Sequence, residues 1–395
     1  MKNLTPAEFQ TKLHGVKAPV TISFYMHKAY PLFLKDSSAF EDEVGGAEMD
    51  FYVIATELAK NKDFAITFYT GDYGQEDMMR ITDNLTMRKF PYWEPDAYPK
   101  WYHKIVRRVL CFWTVLNDRS DVFFSEAHSE LWGYVVLVRK FLMRKPTVYR
   151  IASDLDIKPS EDKKSDTFYR IFAFGLRHTD FVIAQNAAQR HILESELNKK
   201  TVEIKNALWD IPTPPDIVRR KENVLWVGRG IPLKQPMKFV ELARSLPKER
   251  FLMVFPGKGA LKDEVVRESE KLSNLEVVDF IDPKTIQETY NRAKCLVNTS
   301  THEGFPNSFV QALMGGTPVV GLNVNPDGIL DRLDIGHCCN GDIAQATEFI
   351  RTLSGKRMEE LYANCRAYFK ENHDISTVIK KYEALFADIA SKRAT

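Results

Sequence analysis

Short apolar runs recur along the chain and are separated by longer stretches with helical spacing of their apolar residues. Runs at 20–26, 64–70, 121–125, 147–151, 181–184 and 201–204 are short and rich in Val, Ile and Phe, which predicts buried strands. Between them, 49–60, 99–117, 131–142, 168–177 and 187–197 read as amphipathic helices. Residues 71–98 show neither period and read as an irregular stretch rich in Asp, Met and Pro. The alternation then breaks. Residues 205–222 carry Pro212, Pro214 and Pro215 among mixed charges, the composition of a linker. It restarts with strands at 223–228, 251–255, 275–278, 295–297 and 317–320, and helices at 236–246, 260–272, 283–293 and 307–314. Helices at 343–353, 358–368 and 375–390 close the chain. Strands separated by helices predict an α/β fold with doubly wound parallel sheets, because parallel neighbours need a crossover connection.

A length of 395 residues suits two domains, each with its own core. A formal charge of +2 supplies no global field for nucleic acid, and no nucleic-acid-binding motif occurs. Five cysteines without a CxxC pair, Cys338 and Cys339 being adjacent, point to free thiols in a reducing compartment. The opening MKNLTPAEFQ lacks the apolar core of a signal peptide, and no apolar run has the length of a membrane span. The expected location is therefore cytoplasmic.

The densest chemistry lies in 295–321, CLVNTSTHEGFPNSFVQALMGGTPVVG. A strand, a polar loop with Glu303 between His302 and Gly304, a helix from Asn307-Ser308, a Gly315-Gly316 stop and a second strand make a βαβ unit. Ligands of such sheets sit at the carboxyl ends of strands, beside helix N-termini whose N–H groups favour anions. A lone acid there suits hydroxyls better than phosphate. After the strand at 223–228 stands Gly228-Arg229-Gly230-Ile231-Pro232-Leu233-Lys234, which places two cations at another strand end. Arg and Lys together can neutralise a diphosphate leaving group without metal.

The run from Glu303 through Phe309 to Gly316-Thr317-Pro318-Val319 resembles the donor-site signature of family 4 glycosyltransferases, and Gly228-Arg229…Lys234 resembles that family's Gly-Arg…Lys element. The resemblance implies two Rossmann-like domains facing a cleft (the GT-B type): 1–205 on the acceptor side, a linker at 206–222, and 223–372 for the nucleotide sugar. It also implies a closing segment, 373–395, packed back on the first domain. Glu303 would lie near the donor sugar, with Arg229 and Lys234 on its diphosphate and Gly304, Phe305, Pro306, Asn307 and Ser308 lining the phosphate side. Gln311 stands where the family has a second acid for the ribose hydroxyls, and a neutral amide lacks that acid's charge assistance. Gly257 resembles part of a Gly-x-Gly loop near the nucleotide, and Phe280-Ile281 a loop over the base; both fit ordinary strand ends equally well. In the first domain, Gly45-Gly46 before a helix resembles the family's glycine loop. His128 stands near the position of a histidine close to the sugar, out of register by a couple of residues.

The function implied is retaining, metal-independent transfer from a UDP- or GDP-linked sugar to a glycan or lipid-linked saccharide, without a further cofactor. The rivals are a nucleotide-sugar epimerase of the same build and a non-catalytic glycosyltransferase-like subunit, the latter favoured by Gln311. Glycoside hydrolysis needs a second flanking carboxylate, which Glu303 lacks in sequence. Finally, 99–116 mixes Lys100, Lys104, Arg107 and Arg108 with Trp101, Tyr102, Phe112 and Trp113. That composition suits either a peripheral contact with an anionic membrane face or a half-buried helix with a solvated basic side.

Overall fold

The computed structural model describes residues 18–34, 45–91, 101–126, 129–157, 166–211, 222–257, 260–282 and 285–392. The chain forms two compact units. The first comprises residues 1–35, 47–205 and 378–395, and the second 36–46 and 206–377.

The first unit is built on an eight-stranded sheet of order β3-β4-β2-β1-β5-β6-β7-β8. Its strands are β1 (Val20–Tyr25), β2 (Phe64–Thr70), β3 (Met78–Arg80), β4 (Leu85–Lys89), β5 (Val122–Ser125), β6 (Thr147–Arg150), β7 (Phe181–Ala184) and β8 (Thr201–Glu203). β1 lies in parallel register between β2 and β5, and only β3 runs antiparallel to its neighbour. Alternate side chains of β1 meet the helix Gly46–Leu58 on one face, where Phe24, Phe51 and Phe124 form edge-on and tilted contacts. Phe386 and Tyr382, on the closing helix Ile375–Ser391, add to this cluster against Phe124, and Asn61 donates to Glu383 at 2.7 Å.

Two expectations change here. The stretch 71–98 contains the β3–β4 hairpin, whose signal is the alternation of buried Leu85 and Met87 with more exposed neighbours over only a few residues. Helix 131–142 is α-helical only over Leu131–Val136 and continues as a π-helix over Leu137–Leu142. The segment after β1 includes a 3₁₀ turn at Tyr30–Phe33, and residues 35–44 lie outside the described residues.

The second unit has a wholly parallel six-stranded sheet, β11-β10-β9-β12-β13-β14. Its strands are β9 (Asn223–Val227), β10 (Arg250–Val254), β11 (Leu275–Val278), β12 (Ala293–Asn298), β13 (Val319–Gly321) and β14 (Gly336–Cys338). β14 is too short and polar to stand out in the sequence. The strand expected from Cys295 begins two residues earlier, and the helix before it is confined to Ile286–Arg292. Trp226, Phe239, Phe251 and Phe255 dominate the core between sheet and helices. All five cysteines are buried free thiols.

Candidate functional site

β9 and β12 are adjacent at the centre of the second sheet, so the loops leaving their carboxyl ends meet. The β12 loop is shaped by Asn298, whose side-chain oxygen accepts from the Ser300 N–H at 3.1 Å. Its amide donates to Glu303 Oε1 at 2.9 Å. From the β9 side, Lys234 Nζ reaches Glu303 Oε2 at 2.8 Å. Both carboxylate oxygens are thus held, one by an amide and one by an ammonium. Lys234 and Glu303 are each less than a fifth exposed (19% and 17%), so solvent screens the pair only partly.

Backbone geometry presents Lys234. It ends a 3₁₀ turn, Pro232–Lys234, and Gln235 then takes a left-handed conformation, φ 43°, before Pro236 opens the next helix. A non-glycine residue in that region stores strain that only the surrounding contacts hold. Here the contacts are visible: Thr299 donates its hydroxyl to the Lys234 carbonyl, Trp226 Nε1 donates to Thr299 Oγ1 at 2.9 Å, and Thr301 N–H reaches the Leu233 carbonyl at 3.0 Å. Gly230 lies close against the Phe255 ring, where a Cβ would sit 2.7 Å from a ring carbon. Arg229, between Gly228 and Gly230, is exposed and its side chain bonds to nothing among the described residues.

The helix Asn307–Met314 begins directly after this loop. Pro306 accepts from the Phe309 and Val310 N–H groups, while those of Asn307 and Ser308 are left without a partner among the described residues. Gly304, Phe305 and Pro306 are buried. Asn206 locks the loop from behind: its amide donates to the Phe305 carbonyl at 3.1 Å and to Asn307 Oδ1 at 2.5 Å, and its own carbonyl meets His373 Nδ1 at 2.8 Å. The Phe305 and His373 rings pack 4.6 Å apart. Gln311, on the same helix, is half-buried; its carbonyl accepts from Gln287 at 2.9 Å and its carboxamide has no partner among the described residues.

The remaining candidates are more scattered. Gly257 follows β10 with φ 92°, a conformation glycine suits, and its carbonyl accepts from Lys262 at 2.7 Å. Phe280 and Ile281 are half-buried after β11. Gly46 opens the helix Gly46–Leu58 and Gly45 precedes it. His128 lies outside the described residues. Sequence reasoning passed over Asn298 and Asn206. A buried Asn closing a strand was the available signal for the first; Asn206 stands where the family commonly has Asn-Gly before its linker, but Ala207 follows it, so no role was assigned.

Also passed over is a charged cluster at the carboxyl ends of the first unit's strands. Arg150, at the end of β6 and fully buried, bonds Glu126 Oε2 at 2.7 Å and Asp50 Oδ2 at 2.5 Å. Gln185 approaches Glu126 Oε1 at 3.4 Å. One cation faces two acids. Burial pushes the Glu126 carboxyl up to about 8, with the Asp50 charge adding to the rise and Arg150 opposing it.

Residues 209–331 match the family model for glycosyl transferases group 1, a segment that holds Arg229, Lys234, Glu303 and Gln311. The amylovoran biosynthesis glycosyltransferase AmsD of Erwinia amylovora is 24% identical over 162 residues, 39% of this chain and 46% of that protein. The chain thus spans less than half the length of this curated relative. Sucrose-phosphate synthase (tll1590) from Thermosynechococcus elongatus superposes with a TM-score of 0.77 at 16% identity, covering 94% of this chain and 100% of that one. An E. coli structure described as "Trehalose-6-phosphate … bound with UDP-2-fluoro glucose" superposes at 0.65 with 11% identity, over 93% and 99%. The segment that holds the candidate site is thus similar to glycosyl transferases group 1, and the superposed structures share the chain's fold of two Rossmann-like parallel-sheet domains.

Proposed function

We propose that this chain moves a sugar from a nucleotide-diphosphate sugar, UDP- or GDP-linked, to a glycan or lipid-linked saccharide, with retention and without a metal ion. The observation that carries the reading is the Lys234–Glu303–Asn298 constellation, with Arg229 exposed on the same β9 loop and without a side-chain partner among the described residues. In transfer, the bond from the anomeric carbon to the β-phosphate breaks, a bond to the acceptor hydroxyl forms, and that hydroxyl's proton leaves with the diphosphate. Arg229, Lys234 and the open N–H groups of Asn307 and Ser308 offer the charge and donors such a leaving group needs. Glu303 is held rigid through both oxygens, which suits it to orient sugar hydroxyls. The UDP-2-fluoro glucose named for the E. coli structure supports the donor class, and the amylovoran biosynthesis named for AmsD supports a glycan acceptor.

Thermal unfolding against UDP, GDP, ADP and CMP in EDTA tests the donor site. A ligand at a hundred times its dissociation constant adds about 2.7 kcal/mol. One nucleoside diphosphate should raise the midpoint, and the matching sugar nucleotides are then screened for transfer. No shift with any of the four would overturn the reading in favour of a non-catalytic subunit. Sugar interconversion without an acceptor would make the chain an epimerase.

A further inference from the structure

The helix Trp101–Asn117 is apolar on two sides. Cys111 and Val115 enter the core of the first unit, with Phe112 and Leu116 packed against it. On the opposite side Ile105, Val106, Val109, Leu110 and Trp113 face solvent, Val109 at 61% and Trp113 at 63% exposure. A helix that serves only the core carries polar residues there.

The neighbouring π-helix extends this pattern. Its wider turn carries Arg139 inward, where the guanidinium bonds the Asp118 carboxylate at 2.9 Å and the Ser120 carbonyl at 2.8 Å. Leu137, Phe141 and Leu142 are exposed instead, Leu142 at 59%. A charge is buried and three large apolar side chains are presented. Beside them a groove of about 380 Å³ lies between Leu131–Val136, with Leu137 at its end, and Thr167–His178, lined by Tyr134, Leu137, Ile171, Phe174 and Arg170.

The charge around the face is net positive. Neither 101–117 nor 131–146 contains an acidic residue. Of the nearby acids, Glu130 is engaged with Arg107 and Arg108, Asp180 with Lys140 and Asp118 with Arg139, while Asp166 caps the helix Thr167–His178. Arg144 is exposed with no side-chain partner among the described residues. We infer that this face docks on an anionic phospholipid bilayer, with the apolar side chains of both helices at the acyl boundary and the exposed Arg144 and Arg170 at the headgroups. A second copy fits poorly, since a two-fold interface sets a patch against itself and would appose like charges. Among the described residues no helix is long and apolar enough to cross a membrane. The inference goes beyond the transferase reading and does not depend on it.

Co-sedimentation of the full chain with phosphatidylcholine vesicles, with and without phosphatidylglycerol, tests it. Binding should rise at least tenfold with the anionic lipid and fall at least tenfold in Val109→Asp/Leu142→Asp and, more modestly, in Arg144→Glu. Unchanged unfolding midpoints show that these exposed substitutions leave the fold intact. If the double variant unfolds, Trp113→Ala, which removes exposed surface only, should still lower binding. Equal binding to neutral and anionic vesicles, no binding to either, or self-association in ultracentrifugation that the double variant abolishes would each overturn the inference.

Discussion

Glu303→Gln separates the two halves of the proposed donor site. The substitution keeps the side chain's shape, but a carboxamide has one acceptor oxygen where Glu303 uses two. If that oxygen stays on Asn298, an NH₂ group faces the Lys234 ammonium; if it turns to Lys234, the NH₂ faces the Asn298 amide. Either way one donor is left opposing a donor. A hydrogen bond to a charged partner contributes about 1.5–3 kcal/mol, and partial exposure of the pair argues for the lower end in stability. In the transition state, where water is excluded, the same range corresponds to a roughly ten- to hundredfold loss of kcat/KM. Lys234, released from its acid, keeps its full charge for the diphosphate. Nucleoside diphosphate affinity should therefore hold or rise in Glu303→Gln, whereas Lys234→Met should lose about tenfold in affinity as well as in turnover. The assays are isothermal titration with the stabilising nucleotide and initial rates with its sugar conjugate. A Glu303→Gln variant that binds nucleotide tenfold more weakly, or transfers at the wild-type rate, would refute the division of roles.

Gln311→Glu should tighten nucleotide binding, because the half-buried carboxamide, without a partner among the described residues, becomes a charged acceptor worth about 1–2 kcal/mol more; titration reads this as a lowered dissociation constant. Asn206→Ala removes the donor from the buried Phe305 carbonyl and should cost about 1–3 kcal/mol in urea unfolding, with a matching loss of nucleotide affinity as the loop loosens. Glu126 holds in the folded state a proton that the unfolded chain releases in the ordinary carboxylate range, since burial raises its carboxyl to about 8. Its contribution to stability is fully present below that range and is lost as pH rises through about 8. The unfolding midpoint of Glu126→Gln should consequently fall less than that of the wild type between pH 5.5 and 8.5, and parallel curves would sink this account.

Periodicity and punctuation carried most of the architecture. Apolar runs marked eleven of the strands found, proline and glycine marked the breaks, and the βαβ unit around Glu303 was legible because strand, loop and helix N-terminus follow one another in sequence. These features are local: which face of a strand or helix meets the core is decided within a few residues. The tertiary structure decided what lies across from what. Lys234 and Glu303 are 69 residues apart and meet only because β9 and β12 are neighbours in the sheet order. Asn206 reaches the Phe305 loop from 99 residues away, and Arg150 collects Asp50 and Glu126 from another helix and strand. The π-turn that buries Arg139 and exposes Phe141 depends on Asp118 and Ser120 being there to receive the guanidinium. A buried charge is tolerable only with its partners in place, and those partners are chosen by strand order, which no local pattern encodes.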